Sequence, residues 1–163
     1  FLILVRIIVL LGRVGCMIKM NISDPYFTNV PGIGDLNFDY CIVEYEVPIL
    51  FICKDKQGKF YLCDCCEIRF KQEWLIVPVI EDVLALFEKK ITLKKFFKDR
   101  QSLGYFGIYK VGWTKEKIKK VELFDEQVLP ADEYLYFNED EYKEFKSFYG
   151  IRDEKEVLGN EIR

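Results

Sequence analysis

The sequence predicts an α+β fold, an antiparallel β-meander packed against short α-helices. Three observations carry that expectation. Residues 41–80 hold three apolar runs of strand length separated by turn chemistry. From Glu81 onward the apolar spacing changes to a helical period. The chain has 163 residues, 50% of them hydrophobic and 16% aromatic, which suits one core of ordinary size and is far from a disordered composition.

The N-terminal stretch FLILVRIIVLLGRVGC is strongly apolar, with Arg6 and Arg13 its only charges. A secretory signal needs basic residues ahead of its apolar run, and Arg6 interrupts this one. A membrane span needs about 20 uninterrupted apolar residues, and this run is shorter. The organised sequence begins near MNISDPYF, so Met17 or Met20 is the expected natural start and residues 1–19 an apolar leader outside the native fold. Residues 20–38 carry Pro25, Pro31, Gly32 and Gly34 and read as a loop-rich lead-in. Residues 39–150 read as a single α+β domain and 151–163 as a polar, frayed tail.

Within the domain, CIVEYEVPILFICKD alternates and then becomes continuously apolar from Ile49 to Ile52. Pro48 places itself near the start of that strand, because it cannot donate to a ladder. KDKQGK is a hairpin turn with Gly58 supplying positive φ. KFYLCDCCEI is the partner strand, RFKQ turns again, and EWLIVPVI is a third strand rich in β-branched residues. EDVLALFEKK then puts Val83, Leu84, Leu86 and Phe87 on one helical face. A second short helix starts after Thr92 as N-cap, with Leu93, Phe96 and Phe97 inward and Lys94, Lys95 and Lys98 outward. YFGIYKVGW, KIKKVELF and the short YLYF read as strands. The last helix opens on Asn138 with Glu141 three residues on, a capping box, and stops at Gly150.

Composition limits the chemistry. There is no histidine, so His-based acid–base catalysis, Ser–His and Cys–His nucleophiles and His-ligated metals are excluded. Net charge is −3, but the distribution is uneven. Residues 88–120 carry 11 basic and 3 acidic side chains, and residues 121–163 carry 5 and 13. The simplest expectation is that these two segments neutralise each other across the fold. The opposite outcome, an exposed basic face over 89–120, would bring Lys94, Lys95 and Lys98 together with Tyr105, Phe106, Tyr109 and Trp113. Basic and aromatic side chains together bind single-stranded nucleic acid by phosphate contact and stacking.

Cys53, Cys63 and Cys66 are the candidate metal ligands or reactive thiols. A structural zinc site wants four ligands, commonly as two C-x-x-C pairs, and only one such pair is present. On a strand, Cys63 and Cys65 share a face while Cys66 takes the other. With a tight turn at Gln57–Gly58, Cys53 is expected opposite Leu62. Neighbouring Asp64 and Glu67 oppose thiolate formation. The expected role is therefore that of buried small hydrophobes, with no metal and no cofactor. The cysteine spacing is not that of a secreted disulfide framework, which points to a cytoplasmic setting. Glu44 and Glu46 read as solvated strand acids, and PGIGD lacks the Lys-Ser/Thr of a phosphate loop. Trp74 is expected in the core and Trp113, after Gly112 in a turn, as an exposed contact.

Residues 48–97 resemble an uncharacterised bacterial or phage domain. The matching pieces are the D-x-x-G hairpin Asp55–Gly58, the Trp74-led strand with Pro78, and Ile91-Thr92-Leu93 with Phe96. The resemblance covers about a third of the chain and implies a small bacterial or phage-borne protein, with no catalytic residues to carry over. The functional expectation is a non-enzymatic protein-interaction or regulatory module, in a bacterial or mobile-element context and away from membranes. The alternatives are single-stranded nucleic-acid binding through 89–120 and a Cys-ligated metal or redox protein.

Overall fold

Period-two apolar runs fold into seven strands among the described residues: β1 (Phe27–Val30), β2 (Gly34–Tyr45), β3 (Val47–Lys54), β4 (Phe60–Glu67), β5 (Lys71–Val79), β6 (Tyr105–Lys110) and β7 (Lys117–Lys120). Each pairs antiparallel with the next, so the sheet order is the chain order. The structure is a computed structural model that describes residues 25–45, 47–67, 71–79 and 81–152. The apolar leader with Met17 and Met20, Glu46, Arg69 and Phe70 of the expected RFKQ turn, and the tail beyond Arg152 lie outside the described residues.

The meander curls until its ends meet. Both the backbone N–H and the Oγ1 hydroxyl of Thr28 on β1 donate to Glu116 Oε1 at the foot of β7, at 2.7 and 3.2 Å. The sheet is thus nearly a barrel, which leaves little free strand edge. Its two faces bury two cores. The inner face holds Phe27, Leu36, Phe51, Cys53, Cys63, Trp74 and Ile76. The outer face of β2–β5 holds Ile42, Leu50, Ile52, Leu62, Leu75 and Val77, covered by helices. This explains why Ile49–Ile52 and Leu75–Val77 read as unbroken apolar runs: both faces of these strands are buried. Gly107 sits opposite Trp74 in the β5–β6 register. A Cβ there would lie 3.3 Å from the indole and 3.2 Å from Ile118, so its absence makes room for the ring.

Three short helices lie on the outer face: α1 (Leu84–Phe87), preceded by a 3₁₀ turn at Glu81–Val83, α2 (Leu93–Asp99) and α3 (Glu139–Phe148). Thr92 caps α2 by accepting the Lys95 N–H, and Leu93, Phe96 and Phe97 are buried beneath it. Fully burying side chains of this size stabilises by about 1.5–3 kcal/mol each. Asn138 and Glu141 complete the capping box of α3, at 2.8 and 3.2 Å. Gly150, at φ 66°, ends α3 with its own N–H on Ser147 O and the Ile151 N–H on Lys146 O. Phe145 is the buried anchor of α3, 4.3 Å from the Phe87 ring and 5.3 Å from Tyr40. Among the described residues no helix is long and apolar enough to cross a membrane.

Four expectations need correction. The lead-in read as loop-rich over 20–38 contains more strand than that reading allows, namely β1 and the start of β2. Its turn at Pro31–Gly32 is tight, and Phe27, Val30 and Leu36 beside it are inner core. The helix read over 81–90 is only one 3₁₀ turn and one α-turn, closed by Lys89 at φ 56°. KIKKVELF is strand only through Lys120, after which Val121 donates to Gly104 O and Phe124 turns under Gln101. YLYF is not a strand. Leu135 and Phe137 do turn inward and Tyr134 and Tyr136 outward, but the segment lies over α1, with Phe137 4.3 Å from Phe87.

Candidate functional site

Strand alternation splits the cysteines between the two faces of the sheet. Cys53, Cys63 and Cys65 point to the inner core and Cys66 to the outer one. The hairpin loop decides the finer register. Asp55 Oδ1 accepts the Gln57 and Lys59 N–H groups at 2.8 and 2.9 Å, and Gly58 takes φ 84°. The loop is therefore one residue longer than a tight two-residue turn. Cys53 pairs with Tyr61, not with Leu62. The shift puts Cys53 on the same face as Cys63, on the diagonal. Burial pushes the Cys63 thiol well up, and the adjacent Cys53 thiol and the Asp64 charge push the same way. Cys66 Sγ donates to Glu73 O at 3.2 Å. Cys53, Cys63 and Cys66 do not converge, and among the described residues no group of three or more Cys, Asp or Glu is placed to hold a metal ion.

The basic segment divides into two parts with different surroundings. On α2, Lys94 and Lys98 both reach Glu126, at 3.0 and 2.6 Å, and Lys95 reaches Asp99 at 2.9 Å. Arg100 pairs with Asp82 and stacks 3.6 Å over Phe96. Thr92 Oγ1 donates to Asp132 at 2.6 Å, and the Leu93 N–H to Glu133 O. Hydrogen bonds from Lys98 and Lys94 hold the Glu126 carboxyl below the usual carboxylate range, and Glu126 raises Lys98 in return. The acidic segment after Val121 thus lies along the basic helix.

On the β6–β7 hairpin nothing of the kind occurs among the described residues. Gly107 and Ile118 face the inner core, so alternation turns Phe106, Ile108 and Lys110 outward on β6 and Lys117 and Lys119 outward on β7. Lys110, Lys115, Lys117 and Lys119 make no ion pair among the described residues. The hairpin's one acid, Glu116, is engaged by Thr28. The half-buried Trp113 ring has the Lys117 and Lys110 ammonium groups 4.4 and 5.2 Å from its centroid, and Lys119 lies 6.0 Å from Phe106. Cation–π contacts of this kind orient the lysines without neutralising them. Next to this face on β5, Lys71 and the buried Glu73 pair with each other at 2.5 Å.

Of the four interaction residues expected from sequence, Trp113 belongs to this hairpin face and Lys94, Lys95 and Lys98 do not. The alternation in KIKK, with Lys117 and Lys119 two apart on one strand, was the signal that could have found the others. Trp74 lies in the inner core, 4% exposed, its ring edge-on to Phe27. An apolar cleft of about 260 Å³ between the outer sheet face and α3 is lined by Ile52, Phe60, Val79, Val83, Phe145, Tyr149 and Ile151. Its one carboxylate is Glu81, and the Tyr149 hydroxyl is committed to Asp39 at 2.8 Å. Compared with family models, curated proteins and solved structures, the chain matches none of them.

Proposed function

We propose that the protein is a non-enzymatic interaction module that binds an anionic partner through the outward face of the β6–β7 hairpin. One observation carries the reading: among the described residues Lys110, Lys115, Lys117 and Lys119 stand without acid partners, whereas the α2 lysines are each matched by a carboxylate. Unmatched charge gathered on one face raises the local concentration of an oppositely charged partner even when the whole molecule is weakly acidic. At physiological ionic strength the Debye length is about 8 Å, so acids on the far side of the barrel contribute little to this face. The cytoplasmic and bacterial or mobile-element setting belongs to the same proposal. It rests on the cysteine spacing and on the resemblance at 48–97.

Retention on an immobilised sulfated polyanion such as heparin tests this directly, because a chain of net charge −3 has no bulk reason to be held. The wild type is expected to bind at low salt and elute as salt rises. The triple variant Lys110→Glu/Lys117→Glu/Lys119→Glu should flow through. The variant Lys94→Glu/Lys95→Glu/Lys98→Glu should still be held. Flow-through of the wild type at low salt would end the proposal.

A further inference from the structure

We infer that the anionic partner of the β6–β7 face is single-stranded nucleic acid, its phosphates met by Lys110, Lys115, Lys117 and Lys119 and its bases stacked on Trp113 and Phe106. The inference rests on the reading of this face as an anion-binding surface and goes further by naming the chemistry of the ligand.

Three features of the face select a nucleic acid over an acidic protein surface. Lys117 and Lys119 project from the same side of β7. Side chains two apart on a strand repeat at about 6.6 Å, a step comparable to that between phosphates of an extended single strand. Aromatic rings stand among the lysines, with Trp113 between Lys110 and Lys117 and Phe106 beside Lys119. Any base can stack on such rings, whatever the sequence, so affinity of this kind is tolerant of sequence. The turn carrying Trp113 is open: Val111 is 81% exposed, and Gly112 next to it takes φ 90° with nothing near its Cβ position. A base stacking on the half-buried indole would take the place of the Lys117 or Lys110 ammonium group now over the ring and leave that lysine free to meet a phosphate. An acidic peptide would use the lysines but would bring no flat base to stack on the indole.

The test uses the full chain and three probes: oligo(dT) of about 15 nucleotides, a length in the range of known single-strand sites, heparin, and poly-glutamate. Oligo(dT) should bind best at low salt and quench Trp113 fluorescence. Four phosphate contacts to a single strand predict a roughly 50-fold loss of affinity between about 50 and 200 mM salt. Trp113→Ala should weaken oligo(dT) at least about fivefold and leave heparin binding within about twofold, since heparin has no bases to stack. Trp113→Phe should recover most of the loss, which separates stacking from a folding defect. If heparin and poly-glutamate bind as well as oligo(dT), and Trp113→Ala changes none of them, the nucleic-acid inference is overturned while the anionic face stands. If none of the three binds, both fall.

Discussion

Helix α2 and the β6–β7 hairpin are both basic, both interleaved with aromatics, and adjacent in the chain, yet they are opposite kinds of surface. Lys94, Lys95 and Lys98 are held by Glu126 and Asp99, and the rings beneath them, Phe96 and Phe97, are fully buried. Among the described residues Lys110, Lys117 and Lys119 meet no carboxylate, and their aromatic neighbours Phe106 and Trp113 are only partly buried. What separates them is topology. The chain after β7 returns along α2 and brings the acidic segment with it, through Glu126, Asp132 and Glu133. A basic stretch is an interface only where the fold brings no acids to it.

If α2 is a structural surface, its variants must act on stability. The largest expected effect is from Phe97→Ala, which removes a fully buried ring beneath the helix and should cost about 3–5 kcal/mol in chemical denaturation. Next is Thr92→Ala, which removes the cap and the hydroxyl that reaches Asp132, an expected loss of about 0.5–2 kcal/mol. Smaller again is Glu126→Gln, best read as a pH profile. The folded carboxyl sits below its ordinary value of 4.5, so its contribution is present above that pH and is lost as pH falls through the lower folded value. The difference in thermal midpoint between wild type and Glu126→Gln should therefore vanish in acid. Reversing Lys110, Lys117 and Lys119 should shift the midpoint little, because these exposed side chains make only surface cation–π contacts with Trp113 and Phe106. A large loss of stability from that triple reversal would erase the contrast between the two regions.

Local chemistry made much of the fold legible. The Thr92 cap, the Asn138–Glu141 capping box and the Gly58 and Gly150 positions each need only a few neighbouring residues to be recognised, and each is present. The inward triplet Leu93, Phe96 and Phe97 follows from helical period alone. What was missed depended on distant partners. β1 and the start of β2 were hidden behind Pro31 and Gly32, because those turn residues outnumber the apolar ones around them. YLYF has a strand's alternation but no strand lies beside it to pair with. The one-residue error at Cys53 came from Asp55, whose carboxylate stabilises a longer loop than the two-residue turn that Gln57–Gly58 suggests. The candidate site was legible only in part. Composition located the basic segment and Trp113, but which lysines are left unmatched depends on where residues 121–138 run, and no local pattern encodes that.

The account stands or falls on which lysines meet the ligand, and amide chemical-shift mapping by NMR during an oligo(dT) titration reads that residue by residue. Shifts confined to Phe106–Lys120 and the Trp113 indole, with Lys94–Lys98 unmoved, are the expected result. Shifts centred on Lys94, Lys95 and Lys98 with the hairpin silent would contradict it.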